Sequence, residues 1–261
     1  MSINLKLLWF LLLGLIGMMI LQILQVNIMN EPREITNKQL LVEKVYSFTL
    51  SPDGEQIIFS NHQGFKILSL KTGNQRLILP LNHIRHIRTL NWSSDKKWFA
   101  FLQLRLKPRC QELCLFNLQN NQIYYISKAQ NFVGFAFSPD GRRLAWIEEK
   151  RRGGKVRRSL VVGMLGTGKV SNFKVLYSEE REEISPCLEG VQWSPDGRFL
   201  VFRSANGLGV IKPDGTGLRW ISPKPPLSRK GFPMHEAFTI YSWTISPDSE
   251  TIAFGFGGDI W

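Results

Sequence analysis

FAFSPDGRRLAW, residues 135–146, decides the fold because the chain returns to it. The same run stands at 48–59 (FTLSPDGEQIIF), 90–101 (LNWSSDKKWFAF), 191–202 (VQWSPDGRFLVF) and 243–254 (WTISPDSETIAF). The serines fall at 51, 93, 138, 194 and 246, so the spacings are 42, 45, 56 and 52 residues. Periods of this length exceed those of most solenoids and suit the roughly 40–50 residues of a four-stranded propeller blade. Ser-Pro-Asp-Gly fits a type I turn: Ser is at the first position, Pro presets φ at the second, and Gly is at the fourth. Two copies depart from it, with Ser93-Ser94-Asp95-Lys96 lacking both Pro and Gly, and Ser249 replacing the last Gly. Those two turns are expected to be weaker, with the strands around them kept.

Each column of the repeat has a physical task. Eight residues after each Ser stands an aromatic: Phe59, Phe101, Trp146, Phe202 or Phe254. One place earlier stands a smaller apolar residue: Ile58, Ala100, Ala145, Val201 or Ala253. Aromatic side chains bury about 150–250 Å² each, which is what sheets need if they pack face to face around a ring. The columns are therefore read as core. A second recurring element joins the third strand of each blade to the fourth: Lys71-Thr72-Gly73-Asn74, Asn120-Asn121, Gly166-Thr167-Gly168 and Gly215-Thr216-Gly217. Gly and Asn supply the positive φ of a tight hairpin at little steric cost.

This equivalence disposes of an apparent phosphate loop. Residues 163–170, GMLGTGKV, satisfy GxxxxGK, but Val170 stands where Ser or Thr would hold Mg²⁺. The residues that follow alternate like a strand, whereas a phosphate site needs a helix N-terminus there. The stretch is a blade turn.

With turns, columns and period in place, residues 38–261 resemble the TolB-type, WD-like β-propeller repeats. The resemblance implies an all-β fold, a β-propeller of about five four-stranded blades that acts by binding other proteins. It is partial, because TolB carries an α/β domain ahead of its propeller and here only a linker, residues 31–37, separates the repeats from the N-terminal segment. The chain stops as the fifth copy enters its third strand, and residues 37–42, NKQLLV, resemble the outer strand NQRLIL at 74–79. The segment around Lys38 to Val42 is expected to dock beside Asp259 to Trp261 and share closure of the ring.

That N-terminal segment, residues 1–30, is of another kind. From Leu7 to Met29 the chain carries no charge. Twenty-three residues at 1.5 Å each reach about 34 Å, enough for a bilayer core of about 30 Å. The apolar run is too long for the core of a cleavable signal, and no small-x-small site follows it. We read one uncleaved transmembrane signal-anchor helix, with the propeller on the extracytoplasmic side, periplasmic or at the cell surface. The Lys/Arg balance across the helix does not itself fix the orientation.

Catalysis finds little purchase in the residues. His83-x-x-His86 lacks a third ligand at metal spacing, no GxSxG elbow is present, and no metal or other cofactor is expected. Glu179, Glu180, Glu182 and Glu183 read as a solvated acidic connector. Cys110 and Cys114 would stand about 13 Å apart on a strand, too far for a disulfide. With Cys187 they are read as three thiols, mostly buried. The alternative function is a propeller hydrolase or lyase with its site in the central channel, which convergent His, Asp, Glu or Tyr at the loop ends would favour.

Charge gives the candidate site. Of 261 residues, 43% are hydrophobic and 21% charged, and the formal net charge is +12. Beyond residue 30, 32 Lys and Arg face 21 Asp and Glu, a net of +11, so the propeller itself should attract anionic surfaces. The cations concentrate on the face opposite the Ser-Pro-Asp-Gly turns. Arg85 and Arg88 come from the loop entering the second blade, and Arg105, Lys107 and Arg109 from that blade. The third blade supplies Lys150, Arg151, Arg152, Lys155, Arg157 and Arg158. The expected partner is an acidic protein or an anionic envelope component such as lipid headgroups. Nucleic acid is not expected, since no recognised binding motif for it is present.

Overall fold

The computed structural model describes residues 41–80, 87, 89–106, 109–166, 170–182, 189–222, 240, 242–256 and 259–261. It is all-β and follows the repeat. Blade 1 is formed by β1 (Ser47–Leu50), β2 (Gln56–Asn61), β3 (Gly64–Ser69) and β4 (Gln75–Pro80). Blade 2 has β5 (Leu90–Trp92), β6 (Trp98–Leu106), β7 (Arg109–Asn117) and β8 (Gln122–Ala129). Blade 3 has β9 (Asn131–Phe137), β10 (Arg143–Arg152), β11 (Lys155–Leu165) and β12 (Val170–Glu182). Blade 4 has β13 (Glu189–Trp193), β14 (Leu200–Ser204), β15 (Gly207–Ile211) and β16 (Arg219–Trp220). Blade 5 has β17 (Trp243–Ile245), β18 (Ile252–Phe256) and β19 (Asp259–Ile260). Every sheet is antiparallel with its strands in sequence order, four in the first four blades and three in the fifth.

The repeated turn is held by one hydrogen-bond pattern in all five copies. Each Ser Oγ donates to Oδ1 of the Asp two residues on, in the pairs 51/53, 93/95, 138/140, 194/196 and 246/248. The same Oγ accepts the N–H of the residue five ahead at 2.9–3.0 Å. The Asp carboxylate accepts a further N–H at the bend, a local closure that suits short polar side chains. The two divergent copies keep this geometry: Lys96 and Ser249 take φ of 58° and 65°, beside 74°, 66° and 72° at Gly54, Gly141 and Gly197. Ser and Asp therefore define the turn, and Pro and Gly only ease it.

The columns form the core as expected. All five aromatics at the eighth place are buried, and each faces backwards onto the preceding blade wherever a preceding blade packs on it. The small residues Ile58, Ala100, Ala145 and Val201 face forwards onto the next blade. Four apolar clusters result, one for each successive blade pair. Indole N–H groups tie neighbours together: Trp92 Nε1 donates to the Thr49 carbonyl at 3.3 Å and Trp193 Nε1 to that of Ala136 at 3.0 Å. The inner strands β9 and β13 come close because Gly134 meets Gly190, whose backbone lies 3.3 Å from where a Cβ would stand.

One column behaves differently in blade 1. The residues one and three places before each Ser pack onto the preceding blade in copies two to five, where Leu90, Trp92, Phe135, Trp193 and Ile245 are buried. In blade 1 the same places hold Phe48 and Leu50, which are 69% and 52% exposed. Among the described residues no blade packs against the inner strand of blade 1 from behind. The expected closure through Lys38 to Val42 falls largely outside the described residues, since Lys38, Gln39 and Leu40 are not among them. Leu41 and Val42 form no strand, and among the described residues β19 pairs with β18 alone. Expected segments 1–30 and 31–37 also lie outside the description. Among the described residues no helix is long and apolar enough to cross a membrane.

Candidate functional site

The second and third blades carry longer central hairpins than their neighbours. Counted from the turn Ser, the second strand runs to the tenth residue in blades 1 and 4, but to the thirteenth in blade 2 and the fourteenth in blade 3. Three or four extra residues at about 3.3 Å lift these hairpins about 10–13 Å beyond the others. The third-blade hairpin turns through Gly153 and Gly154, with φ of 59° and 77°. Mirror-image two-residue turns of this kind match the strand twist, so β10 and β11 stay paired up to Arg152 and Lys155.

The candidate cations sit on these projections. Arg105 ends β6, Arg109 opens β7, Lys150, Arg151 and Arg152 end β10, and Lys155, Arg157 and Arg158 open β11. The structure therefore brings these eight onto two adjacent hairpins. Arg85, Arg88 and Lys107 lie outside the described residues. The sequence reading missed the carboxylates beneath the cations. Glu112 and Glu149 are completely buried, and Glu148 and Glu179 nearly so.

Each buried carboxylate is met by cations. Glu112 lies between Arg105 Nε at 2.8 Å and Lys128 Nζ at 3.2 Å, and Gln103 donates to it at 2.7 Å. Glu149 takes Arg151 Nε on one oxygen and Arg158 Nε and Nη2 on the other, all at 2.8 Å. Burial pushes both carboxyls up, but these hydrogen bonds and charges outweigh it and hold them below the usual carboxylate range. Glu148 is likewise lowered: burial raises it, and Lys150, Ser127 and Trp146 Nε1 more than compensate.

Glu179 corrects the reading of residues 179–183 as a solvated connector. Glu179, Glu180 and Glu182 belong to β12, and Glu183 lies outside the described residues. Glu179 is buried, accepting from Ser204 Oγ at 2.9 Å and Tyr177 Oη at 3.3 Å, with Arg181 Nε at 3.7 Å. The register of β10, β11 and β12 places Glu149, Arg158 and Glu179 side by side. A strand reading of 170–182 would have shown that alternation.

Among the described residues no three His, Cys, Asp or Glu converge as a metal site. Cys114 is buried in β7, where burial pushes its thiol up, and Cys110 is half-buried; neither is in a disulfide, and Cys187 lies outside the description. The apparent phosphate loop ends in strand β12 at Val170, with no helix there.

No family profile and no curated protein matches the sequence. Solved structures do. Putative TolB from Agrobacterium tumefaciens aligns at 16% identity and TM-score 0.56, over 85% of this chain and 74% of that one. The fold is a β-propeller. The gluconolactonase XC5397 from Xanthomonas campestris aligns at 13% identity and TM-score 0.52, covering 83% and 70%. The propeller domain of the Trilobed protease from Pyrococcus furiosus, described as having an open velcro topology, gives 12%, 0.51, 83% and 69%. Against TolB from Acinetobacter baumannii the TM-score is 0.48 at 17% identity, over 79% of this chain, which spans 45% of that protein. Likeness at these identities extends to the fold alone.

Proposed function

We propose that this protein is a membrane-anchored, non-catalytic propeller that serves as a protein-binding or scaffold module at the cell envelope. The helix at 7–29 tethers it, and the propeller lies on the extracytoplasmic side. The observation that carries the reading is the placement of charge on the two raised hairpins. Cations stand at the surface: the side chains of Arg105 and Arg151 are about half exposed while their carboxylate partners Glu112 and Glu149 are buried beneath, and Lys150 and Lys155 stand out beside them on Glu148 and Glu180. An incoming anionic partner meets the positive ends first. The buried carboxylates of Glu112 and Glu149 also act against chemistry of their own, since each is committed to Arg, Lys or Gln donors and held ionised.

In situ crosslinking of the full-length protein in its membrane, followed by capture, tests the reading. A discrete partner crosslinked through the raised hairpins is expected, and a C-terminal alkaline phosphatase fusion should be active. A silent phosphatase with an active cytoplasmic reporter at the same place overturns the orientation, and capture of no partner overturns the binding role.

A further inference from the structure

Strand alternation divides the basic cluster into two sets that the sequence presents as one. On β10, Ile147 packs towards blade 4 and Glu149 shares its side, so Glu148, Lys150 and Arg152 point the other way, towards blade 2. Glu148 confirms this by accepting from Ser127 of β8. On β11, Leu160 and Val162 pack on blade 4 with Arg158 on their side, which leaves Lys155 and Arg157 facing blade 2. From the opposite wall, Leu113 and Leu115 of β7 pack on blade 3, and Gln111, on the same side, accepts the N–H of Phe132. Arg109 shares that side. Leu106, in register with Arg109, is 54% exposed there.

The two sets differ in how far their charge is answered. Arg151 and Arg158 are locked onto Glu149, and Arg105 onto Glu112, on the outer sides of the two hairpins. Between the hairpins, Lys150 meets Glu148 at 2.8 Å, Lys155 meets Glu180 at 3.7 Å and Arg157 meets the Ser178 hydroxyl. Arg109 and Arg152 have no carboxylate within ion-pair distance among the described residues. The cleft between blades 2 and 3 is therefore a cationic slot with an apolar side chain in it.

We infer that this cleft docks an extended acidic segment of a partner polypeptide, one that alternates carboxylates with apolar residues. The inference rests on the binding role proposed above and names its site and ligand class. An extended chain alternates its side chains with a period of two, so carboxylates can reach Arg109 on one wall and Arg152 and Arg157 on the other while an apolar residue meets Leu106. A flat bilayer reaches the hairpin tips and leaves the facing walls unmet. The carboxylate–arginine geometry adds direction to the charge attraction.

Fluorescence anisotropy on the full chain in neutral detergent, with a short labelled peptide of alternating Glu and Leu, tests it. Arg109→Gln/Arg152→Gln/Arg157→Gln should weaken binding at low salt by about tenfold, as expected for three exposed charge pairs. Lys71→Gln/Arg76→Gln/Arg142→Gln removes the same charge from exposed positions elsewhere and should leave binding unchanged, and Arg109→Lys/Arg152→Lys/Arg157→Lys should retain most of it. The effect should shrink towards physiological salt, where the screening length is about 8 Å. Equal losses in the first two variants overturn the slot in favour of diffuse attraction. Cleft-dependent binding to phosphatidylglycerol vesicles without binding to the peptide overturns the ligand class. Either result with partner capture intact leaves the proposed binding role standing, whereas failed capture removes that role whatever the peptide does.

Discussion

Replacing Arg158 by Met should destabilise blade 3 far more than replacing Arg151, although both hold the same carboxylate. Arg158 gives Glu149 two charge-assisted hydrogen bonds at 2.8 Å on one oxygen and is itself largely buried, while Arg151 gives one and is half exposed. Such bonds to charged groups contribute about 1.5–3 kcal/mol each, and breaking a buried pair by removing one partner costs about 3–5 kcal/mol, because the remaining charge stays out of water. For Arg158→Met we expect a loss of about 3–5 kcal/mol, and for Arg151→Met about 1 kcal/mol. With a urea slope of roughly 2 kcal/mol per molar, the first variant's midpoint should fall by about 2 M and the second's by about 0.5 M. The double variant Glu149→Leu/Arg158→Met should regain most of the loss, since an apolar pair of similar volume leaves no charge uncompensated. Equal midpoints for the two single variants, or a double variant as unstable as Arg158→Met, would refute the argument that the buried carboxylate sets the cost.

Gly64→Ala should destabilise by at least about 2–3 kcal/mol, seen as a fall in thermal midpoint: its φ is 141° and a Cβ would lie 2.1 Å from the Leu79 carbonyl oxygen. Lys96→Gly should stabilise by up to about 1 kcal/mol in an Asp53→Asn background, where the ion pair between Lys96 and Asp53 no longer opposes relief of the positive φ of the second turn; an unchanged or lowered midpoint in that background would show that this turn is not strained. Acid should unfold the protein through Glu112, Glu148 and Glu149. Their folded-state carboxyls titrate below the ordinary value near 4.5, so their contribution is complete above that value and is lost as pH falls through the lowered range. An Arg158→Met variant should lose that acid dependence in part, which a pH series of urea midpoints would show.

The blades were legible because their determinants are local and repeated. Ser and Asp two apart close each turn, the aromatic eight places on lies in an interface, and Gly73, Asn121 and Gly215 take the positive φ that the hairpins ask for. The cationic residues were legible too, but their grouping was not. Sequence proximity joins Arg151 to Arg152, whereas the pleat sends one onto Glu149 and the other towards blade 2. Glu179 was misread for the related reason that charge-rich composition resembles a connector, and only pairing across β11 reveals its burial. Closure of the ring depends on contacts between residues some two hundred apart, about which a single repeat says nothing.

The apolar clusters between successive blades give the described part of the propeller the energetics of nearest neighbours. Among the described residues the row of five is joined by four apolar clusters, so that blades 2, 3 and 4 each share one with both neighbours while blades 1 and 5 each share one with a single neighbour. Stability in such a row is close to a sum over nearest neighbours, and opening proceeds inward from either terminus. Amides of blades 2 to 4 should then exchange with solvent most slowly, and those of blades 1 and 5 soonest. The slot between blades 2 and 3 lies in the protected interior of that row, where the walls hold their spacing while the ends open and close.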